Sequence, residues 1–548
     1  MPGPCFRRPL RAALLAGAFA AAAPAVAQTV ATGAPHPSGV TEEQALALAA
    51  RLDALEKRNA ELEAQVAGLK AQVAAIRPAH AAPDAAGAAP ASVSLTGGRP
   101  VLASADGRFT AAVHGVFQLD AATYDQAPPG PLADDLRRSG PALGASQANV
   151  DLTRARALKA GDVVRRARLG IDGKAFGDWS YRLLFDFGGS GVENAGQLYE
   201  GWIQYDGFAP AHLKVGAFSP SLGLDDQAST NGMPFLERSA IAELARGLAG
   251  GDMRTAAQAY GYGDRWFAAA AVTGRTLGSL STGTASPTAQ SFGDPLGFTG
   301  RIAGTPWRGP GWLTHVGLHG SWLERPADTV GPGADGRTPA SARAVTFSIA
   351  PESRVDASRL INTGAIPARH AGALGGEFAA QRGNLLLQAE YERLEISRSD
   401  HQPDPRFDGF YVSGSWVITG EARTYNRQTA AFDAPPVARL FDPVRGDWGA
   451  WEAAVRYARA DLDFRPGPAG TLPGAATIRG GEQTALSAGV NWYWNAFARV
   501  MLDYQHVRVD RLSPAASMAA AATLWLTPPG AQIGQSFDVW SVRTQFAF

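Results

Sequence analysis

The chain has 548 residues, with 50 Lys+Arg against 50 Asp+Glu, 18% charged residues and 63 glycines. The zero formal balance excludes a nucleic-acid protein driven by a bulk basic field, and 13 Trp, 24 Phe and 12 Tyr exclude broad disorder. Past the N-terminus no apolar run reaches the roughly 18 residues of a membrane-crossing helix, so a soluble all-β protein and a membrane β-barrel remain.

The first segment sets the compartment. Arg7, Arg8 and Arg11 precede the apolar stretch Ala12 to Ala23, which is followed by Ala25-Val26-Ala27. A charged start, a short apolar core and an A-x-A site read as a secretory signal peptide over residues 1–27, cut before Gln28. Cys5, the only cysteine, lies inside it. The mature chain then holds no thiol, which excludes a disulfide scaffold, a zinc-thiolate site and a cysteine nucleophile.

Residues 41–77 read as a coiled-coil oligomerisation segment. Leu48, Leu52, Leu55, Asn59, Leu62, Val66, Leu69, Val73 and Ile76 alternate spacings of four and three, a left-handed heptad seam with Asn59 at an a position to fix register. A helix this short is marginal alone, so it belongs to a chain that is oligomeric elsewhere. Arg77-Pro78 ends it, and residues 78–105, rich in Ala, Pro and Gly, read as a flexible linker.

Residues 106–548 read as strands. In the segment from Arg166, Ala167, Leu169 and Ile171 face one way while Arg166, Arg168, Asp172 and Lys174 face the other. Trp179, Tyr181, Leu183, Phe185 and Phe187 alternate with Ser180, Arg182, Leu184 and Asp186 in the same manner. Such segments of about ten residues are the signature of membrane barrel strands, and Trp492, Trp494, Trp540 and Tyr205 at strand ends suit interfacial girdles. Tight turns alternate with long Gly/Pro/Ser-rich loops, giving sixteen strands with both ends on the periplasmic side. Parity requires Arg343–Ala350, although strand-like, to lie in a loop, and it puts the long link Glu421–Asp447 on the short-turn side. The chain ends at Phe548 on an alternating strand, the mark that barrel-insertion machinery reads. The expected fold is therefore all-β: a 16-stranded antiparallel transmembrane barrel preceded by an α-helical coiled coil, located in a Gram-negative outer membrane, with the coiled coil on the periplasmic side.

The stretches beginning at Arg165 (RRARLGIDGKAFGDWSYRLLFDFGG), His212 (HLKVGAFSPSLGLDDQASTNGMPFLERS), Gly414 (GSWVITGEARTYNRQTAAF), Gly446 (GDWGAWEAAVRYARADLD) and Gly489 (GVNWYWNAFARVMLDYQHV) resemble the phosphate-selective porin O/P family. The resemblance spans most of residues 100–548. It implies a homotrimeric, anion-selective channel for phosphate or polyphosphate, with the third long loop folded into the pore. Parity places that loop after the strand around Val215 and before the one beginning near Thr255, so that it carries Arg238 and Arg246 alongside Glu237 and Glu243. The family's phosphate-specific members carry lysines at the constriction and an arginine ladder along the wall. This sequence departs from them: Lys57, Lys70, Lys159, Lys174 and Lys214 are all its lysines, and none lies in the loop. Arginine binds phosphate bidentately and stays charged, so it can replace lysine in attracting anions, though a fork that grips phosphate too firmly slows release. The same composition also follows from genomic base bias, so phosphate-specific and general anion passage both stay open.

Alternation alone supplies the other anion-binding candidates: Arg166, Arg168, Arg182, Lys214, Arg456, Arg499 and Arg543 lie on polar faces of their predicted strands. Each is equally well read as a lumen residue paired with Asp172, Asp186, Glu452 or Asp503. Enzymatic motifs are absent: no H-E-x-x-H, G-x-S-x-G or P-loop occurs. On a strand His315 and His319 stand about 13 Å apart, too far to share an ion, so neither a metal nor a cofactor is expected. A membrane hydrolase would need a serine beside His114 or His506, and none is evident. The alternatives to an anion porin are a general, weakly selective porin and a structural or adhesive barrel.

Overall fold

A computed structural model of the chain describes residues 91–96, 98–126, 158–189, 197–249, 253–277, 295–328, 343–356, 358–515 and 528–548, together with Lys57, Glu61 and Ala64. Residues Met1–Gly87 and Ala88–Phe548 form separate units. In the first, Lys57, Glu61 and Ala64 are helical and exposed, all off the heptad seam; the signal peptide and the rest of the coiled coil lie outside the described residues.

In the second unit, sixteen antiparallel strands close on themselves. They are β1 (Thr110–Gln126), β2 (Gly161–Ala175), β3 (Trp179–Asp186), β4 (Gln197–Phe208), β5 (Ala211–Phe218), β6 (Arg254–Tyr262), β7 (Trp266–Thr276) and β8 (Leu296–Gly304). Then follow β9 (Trp312–Arg325), β10 (Ile366–Arg382), β11 (Leu385–Arg398), β12 (Arg406–Val417), β13 (Ala450–Phe464), β14 (Ile478–Tyr493), β15 (Ala498–Asp510) and β16 (Ser536–Ala547). Pairing of β16 with β1 shuts the ring, and Phe548 extends it by exchanging backbone hydrogen bonds with Gly115 (2.9 and 3.0 Å). A side chain on Gly115 would meet the Phe548 ring at 2.6 Å, so the bare glycine seats the last residue. Closure leaves no unpaired edge among these strands, as a lipid environment demands.

The outer face is apolar and exposed: Leu169, Ile203, Leu318, Leu374 and Val455 all project away from the barrel. Aromatic side chains cluster at the short-turn rim, where Trp179 packs on Tyr205 (5.0 Å), Trp451 stacks on Trp492 (5.1 Å) and Phe546 meets Phe548 (5.5 Å). This is the girdle that amphipathic rings form at a membrane interface.

Two sequence expectations about connections hold and one boundary changes. Arg343–Ala350 contributes only the two-residue strands Ala344–Val345 and Ser348–Ile349, within the loop between β9 and β10. The long β12–β13 link falls on the short-turn side and turns inward: Arg423, Tyr425 and Thr429 reach partners on the inner wall. The stretch read as a tether, 78–105, carries a hairpin near its end, where Ser92–Thr96 pairs with Arg99–Ala103 and the latter with the start of β1. Its alternating Val93, Leu95 and Val101 were masked by the Ala/Pro/Gly composition around them.

The third long connection, between Phe218 and Arg254, crosses the interior. It holds the turn α1 (Leu224–Gln227) and the helix α2 (Ala240–Leu248), whose N-cap Ser239 accepts a hydrogen bond from the Ala242 amide (3.4 Å). The apolar face of α2, with Ile241, Leu244 and Leu248 fully buried, packs on the wall across from the loop's roots. A side chain on Gly409 would meet Ile241 at 2.8 Å, so a glycine lets the helix settle against β12. Phe347 and Ile349 from the β9–β10 loop join the same cluster, with Leu394, Phe407, Leu462 and Val509 from the wall. The half of the interior nearer the long loops is thus packed with apolar side chains. A strand-by-strand reading of the lumen as polar does not anticipate this, because the filling comes from loops. Each fully buried Leu or Ile contributes about 1.5–3 kcal/mol.

Candidate functional site

The loop between Phe218 and Arg254 is held by a clasp centred on Glu237. The Glu237 carboxylate accepts hydrogen bonds from Arg165 (2.8 and 3.2 Å) and Arg543 (2.9 Å), and Arg166 stands 3.9 Å away. Arg543 also forms a two-pronged pair with Asp120 (2.7 and 2.7 Å) and donates to the Leu236 carbonyl (2.6 Å). Arg456 donates to the Glu237 carbonyl (3.1 Å) and pairs with Glu352 (2.6 Å). Arg499 donates to the Met233 carbonyl (2.8 Å) and to Gln545 (3.1 Å), with no carboxylate within salt-bridge distance among the described residues. Burial opposes ionisation of Glu237, but Arg165, Arg166 and Arg543 outweigh it and hold its carboxyl well below the usual range.

Arg165 enters this clasp through a bulge. The β1–β2 register slips between Gln118–Arg166 and Leu119–Val164, which leaves Arg165 as the extra residue and turns it inward beside Arg166. Strict alternation assigns Arg165 to the lipid side and so misses it; the doubled arginine is the only signal in the sequence.

The other predicted residues divide into two groups. Arg246 lies in the last turn of α2, paired with Asp226 (2.7 Å) and Glu243 (3.1 Å), so its charge is neutralised within the loop. Burial opposes ionisation of Glu243, yet Arg246, Arg354 and Arg238 bring its carboxyl down to about 2. Burial pushes the Asp225 carboxyl up. Arg238 donates to the carbonyls of Asp225, Asp226 and Ala228 (2.8–3.0 Å), capping α1. Arg168 pairs with Asp186 (2.7 Å) under the Tyr199 ring.

Arg182 and Lys214 are different. Arg182 is 31% exposed and makes only looser contacts, 3.4 Å to Glu200 and 3.9 Å to Asp172. The Lys214 ammonium sits 4.1 Å from the centre of the Trp202 ring and 4.5 Å from that of Phe218, without a salt-bridge partner among the described residues. Both belong to the wall of β1–β6, where His114, Asp172, Glu200 and Trp202 are also half-buried rather than sealed. On the opposite side, between the loop and β11–β13, the enclosed cavity lined by Phe235, Tyr411, Arg423 and Arg456 measures about 20 Å³, room for roughly one water. The loop therefore closes against β11–β16 and, through Glu237, against Arg165 and Arg166 of β2, while the wall around His114, Asp172, Arg182, Glu200 and Lys214 stays half-buried.

Sequence reasoning also missed what the two histidines of β9 do. His315 and His319 both reach Glu377 of β10 (3.0 and 2.8 Å), which stands opposite Gly317 between them. On the outer face His506 bonds to Asp538 (2.8 Å), and Ser536 lies 3.5 Å from its other nitrogen. A serine is thus beside His506 after all, but the group is exposed, and Tyr504 shares the same Asp538 oxygen.

The profile described as phosphate-selective porin O and P matches residues 145–548. The chain belongs to this family. Among curated relatives, Porin O of Pseudomonas aeruginosa is 28% identical over 360 residues, covering 64% of this chain and 77% of its own. Among solved structures, an anion-selective porin from Comamonas acidovorans aligns with a TM-score of 0.41 at 11% identity, over 80% of this chain and 100% of its own. The outer-membrane protein OmpT of Vibrio cholerae, as a loop L8 deletion mutant, gives 0.43 at 9% identity, over 80% and 100%. Family membership makes the chain a bacterial outer-membrane porin, a channel rather than an enzyme.

Proposed function

We propose that the chain is a trimeric, passive diffusion channel that prefers anions of the phosphate class, with the Phe218–Arg254 loop as its constriction. The observation that carries this reading is Lys214, a cation on the half-buried wall that packs against the Trp202 and Phe218 rings, with Glu200 nearby but no carboxylate within salt-bridge distance among the described residues. Arg182, loosely held nearby, adds a planar donor fork that suits phosphate. Two cations that hold an anion weakly favour passage over capture. In planar bilayers the purified porin should give an anion-selective reversal potential and a chloride current blocked by phosphate. Lys214→Ala and Arg182→Ala should each weaken that block about tenfold, the loss of about 1.4 kcal/mol. A second reading, a general porin, is favoured by Asp172 and Glu200 on the same wall; unblocked, weakly selective current would select it.

The proposal includes a signal peptide cleaved before Gln28, insertion guided by Phe548, and a periplasmic coiled coil reinforcing the trimer. Deleting Leu48–Ile76 should leave detergent-purified trimers that dissociate at lower temperature than the full chain. Monomers from both proteins would reject the trimer altogether.

A further inference from the structure

The geometry points to a divalent transition-metal site of the zinc class in the barrel wall, built by His319, Glu390 and Glu392 with Glu377 as the positioning carboxylate, beneath the first turn of the inward loop. Ligand atoms of His319, Glu377 and Glu390 lie within 4.8 Å of one another, and all three residues are buried. Glu392 brings a fourth group: its Oε1 is 2.5 Å from His319 Nε2, while its Oε2 is buried with no hydrogen-bond partner. A buried carboxylate oxygen without a donor is costly, and a cation would satisfy it.

The charges agree. Glu377, Glu390 and Glu392 face one guanidinium, Arg301, which forks onto Glu377 (2.9 and 2.7 Å). The arginines beside Asp225 are engaged elsewhere, Arg238 on backbone carbonyls and Arg456 on Glu352. With neutral imidazoles, one divalent ion balances the group. Glu377 already has a donor in every direction: Arg301 twice, His315 and His319. It is therefore suited to orient His319 through Nδ1–H, and a metal would take the place of the proton that Nε2 shares with Glu392 Oε1, the carboxylate–histidine–metal arrangement. An imidazole among carboxylates selects a zinc-type ion over calcium or magnesium, which take oxygen ligands alone.

Three glycines make the room that these side chains occupy. A side chain on Gly375 would meet His319 Nε2 at 2.2 Å and Glu392 Oε2 at 2.5 Å, and one on Gly223 would meet Glu390 Oε1 at 2.4 Å. One on Gly317 would meet the Glu377 carboxylate at 2.9 Å. Glu390 also accepts from the Leu224 and Asp225 amides (2.5 and 2.9 Å) and from Tyr411 (2.8 Å), so a metal bound there would pin α1 to the wall.

The test uses tag-free, full-length porin extracted from outer membranes without chelator. Elemental analysis should find about one equivalent of zinc per chain. After stripping, Co²⁺ should restore stoichiometric binding with visible d–d bands of a four- or five-coordinate site. His319→Gln and Glu392→Gln should each lower Co²⁺ affinity by more than the roughly 10–100-fold that loss of a group hydrogen-bonded to a ligand costs. Wild-type protein that binds neither zinc nor Co²⁺ stoichiometrically overturns the proposal without recourse to any variant. Binding undiminished in both variants overturns it as well, by placing the ion elsewhere.

Discussion

Glu237→Ala should raise single-channel conductance severalfold while leaving the barrel folded. Its carboxylate is the acid shared by Arg165, Arg543 and, at longer range, Arg166, all buried around it. Removing one partner from a buried ionic cluster costs about 3–5 kcal/mol, and here the cost falls on the loop. The sixteen-strand ladder has no part in that cluster's backbone pairing, so heat-modifiable migration in gels should be retained. Glu237→Gln, which keeps the shape but not the charge, should fall between. Acid should reproduce the effect. A carboxyl held below its usual range stabilises the folded arrangement above its unfolded pKa and loses that contribution only as pH falls through the folded value. With Glu237 well below the ordinary range and Glu243 at about 2, the loop should hold at pH 4 and loosen toward pH 2. Conductance that is unchanged in Glu237→Ala and flat from pH 7 to 2 would mean that backbone contacts alone fix the loop.

The barrel was legible because alternation reports which face a residue takes, and turn lengths report which rim a connection belongs to. Arg166, Arg168, Arg182, Lys214, Arg456, Arg499 and Arg543 are all placed inward on that basis, and the sixteen strands close in the expected order. Alternation says nothing about partners across the barrel. Arg543 is bonded to Asp120 on the neighbouring strand and to Glu237 on a loop far away in sequence, and neither link has a local signature. One extra residue at Arg165 inverts the reading for that position. His315 and His319 stand four residues apart on β9, yet Glu377 reaches both because Gly317 leaves room opposite it. What the sequence hides, then, is how the interior is divided between wall, loop and open space.

That division is tested most sharply by Leu244→Asp. Leu244 is fully buried on α2 within the apolar cluster that fills the long-loop half of the barrel. Leu244→Ala there should cost about 2–5 kcal/mol. A carboxylate among Phe347, Phe407 and Leu394 has no partner to replace lost water, and α2, unlike the wall residues of that cluster, can leave without breaking a barrel strand. The helix should detach, with fast amide exchange over residues 240–248 and a rise in conductance. The Glu237 clasp lies outside this cluster, so residues 231–237 should stay protected and Lys214 should still mediate phosphate block. Leu244→Asp would therefore widen the outer half alone, whereas Glu237→Ala frees the inner stretch, and the double variant should add the two effects. If Leu244→Asp instead raised conductance as far as Glu237→Ala and the double variant added nothing further, the loop would be a single cooperative unit, its helix and clasp rising or falling together.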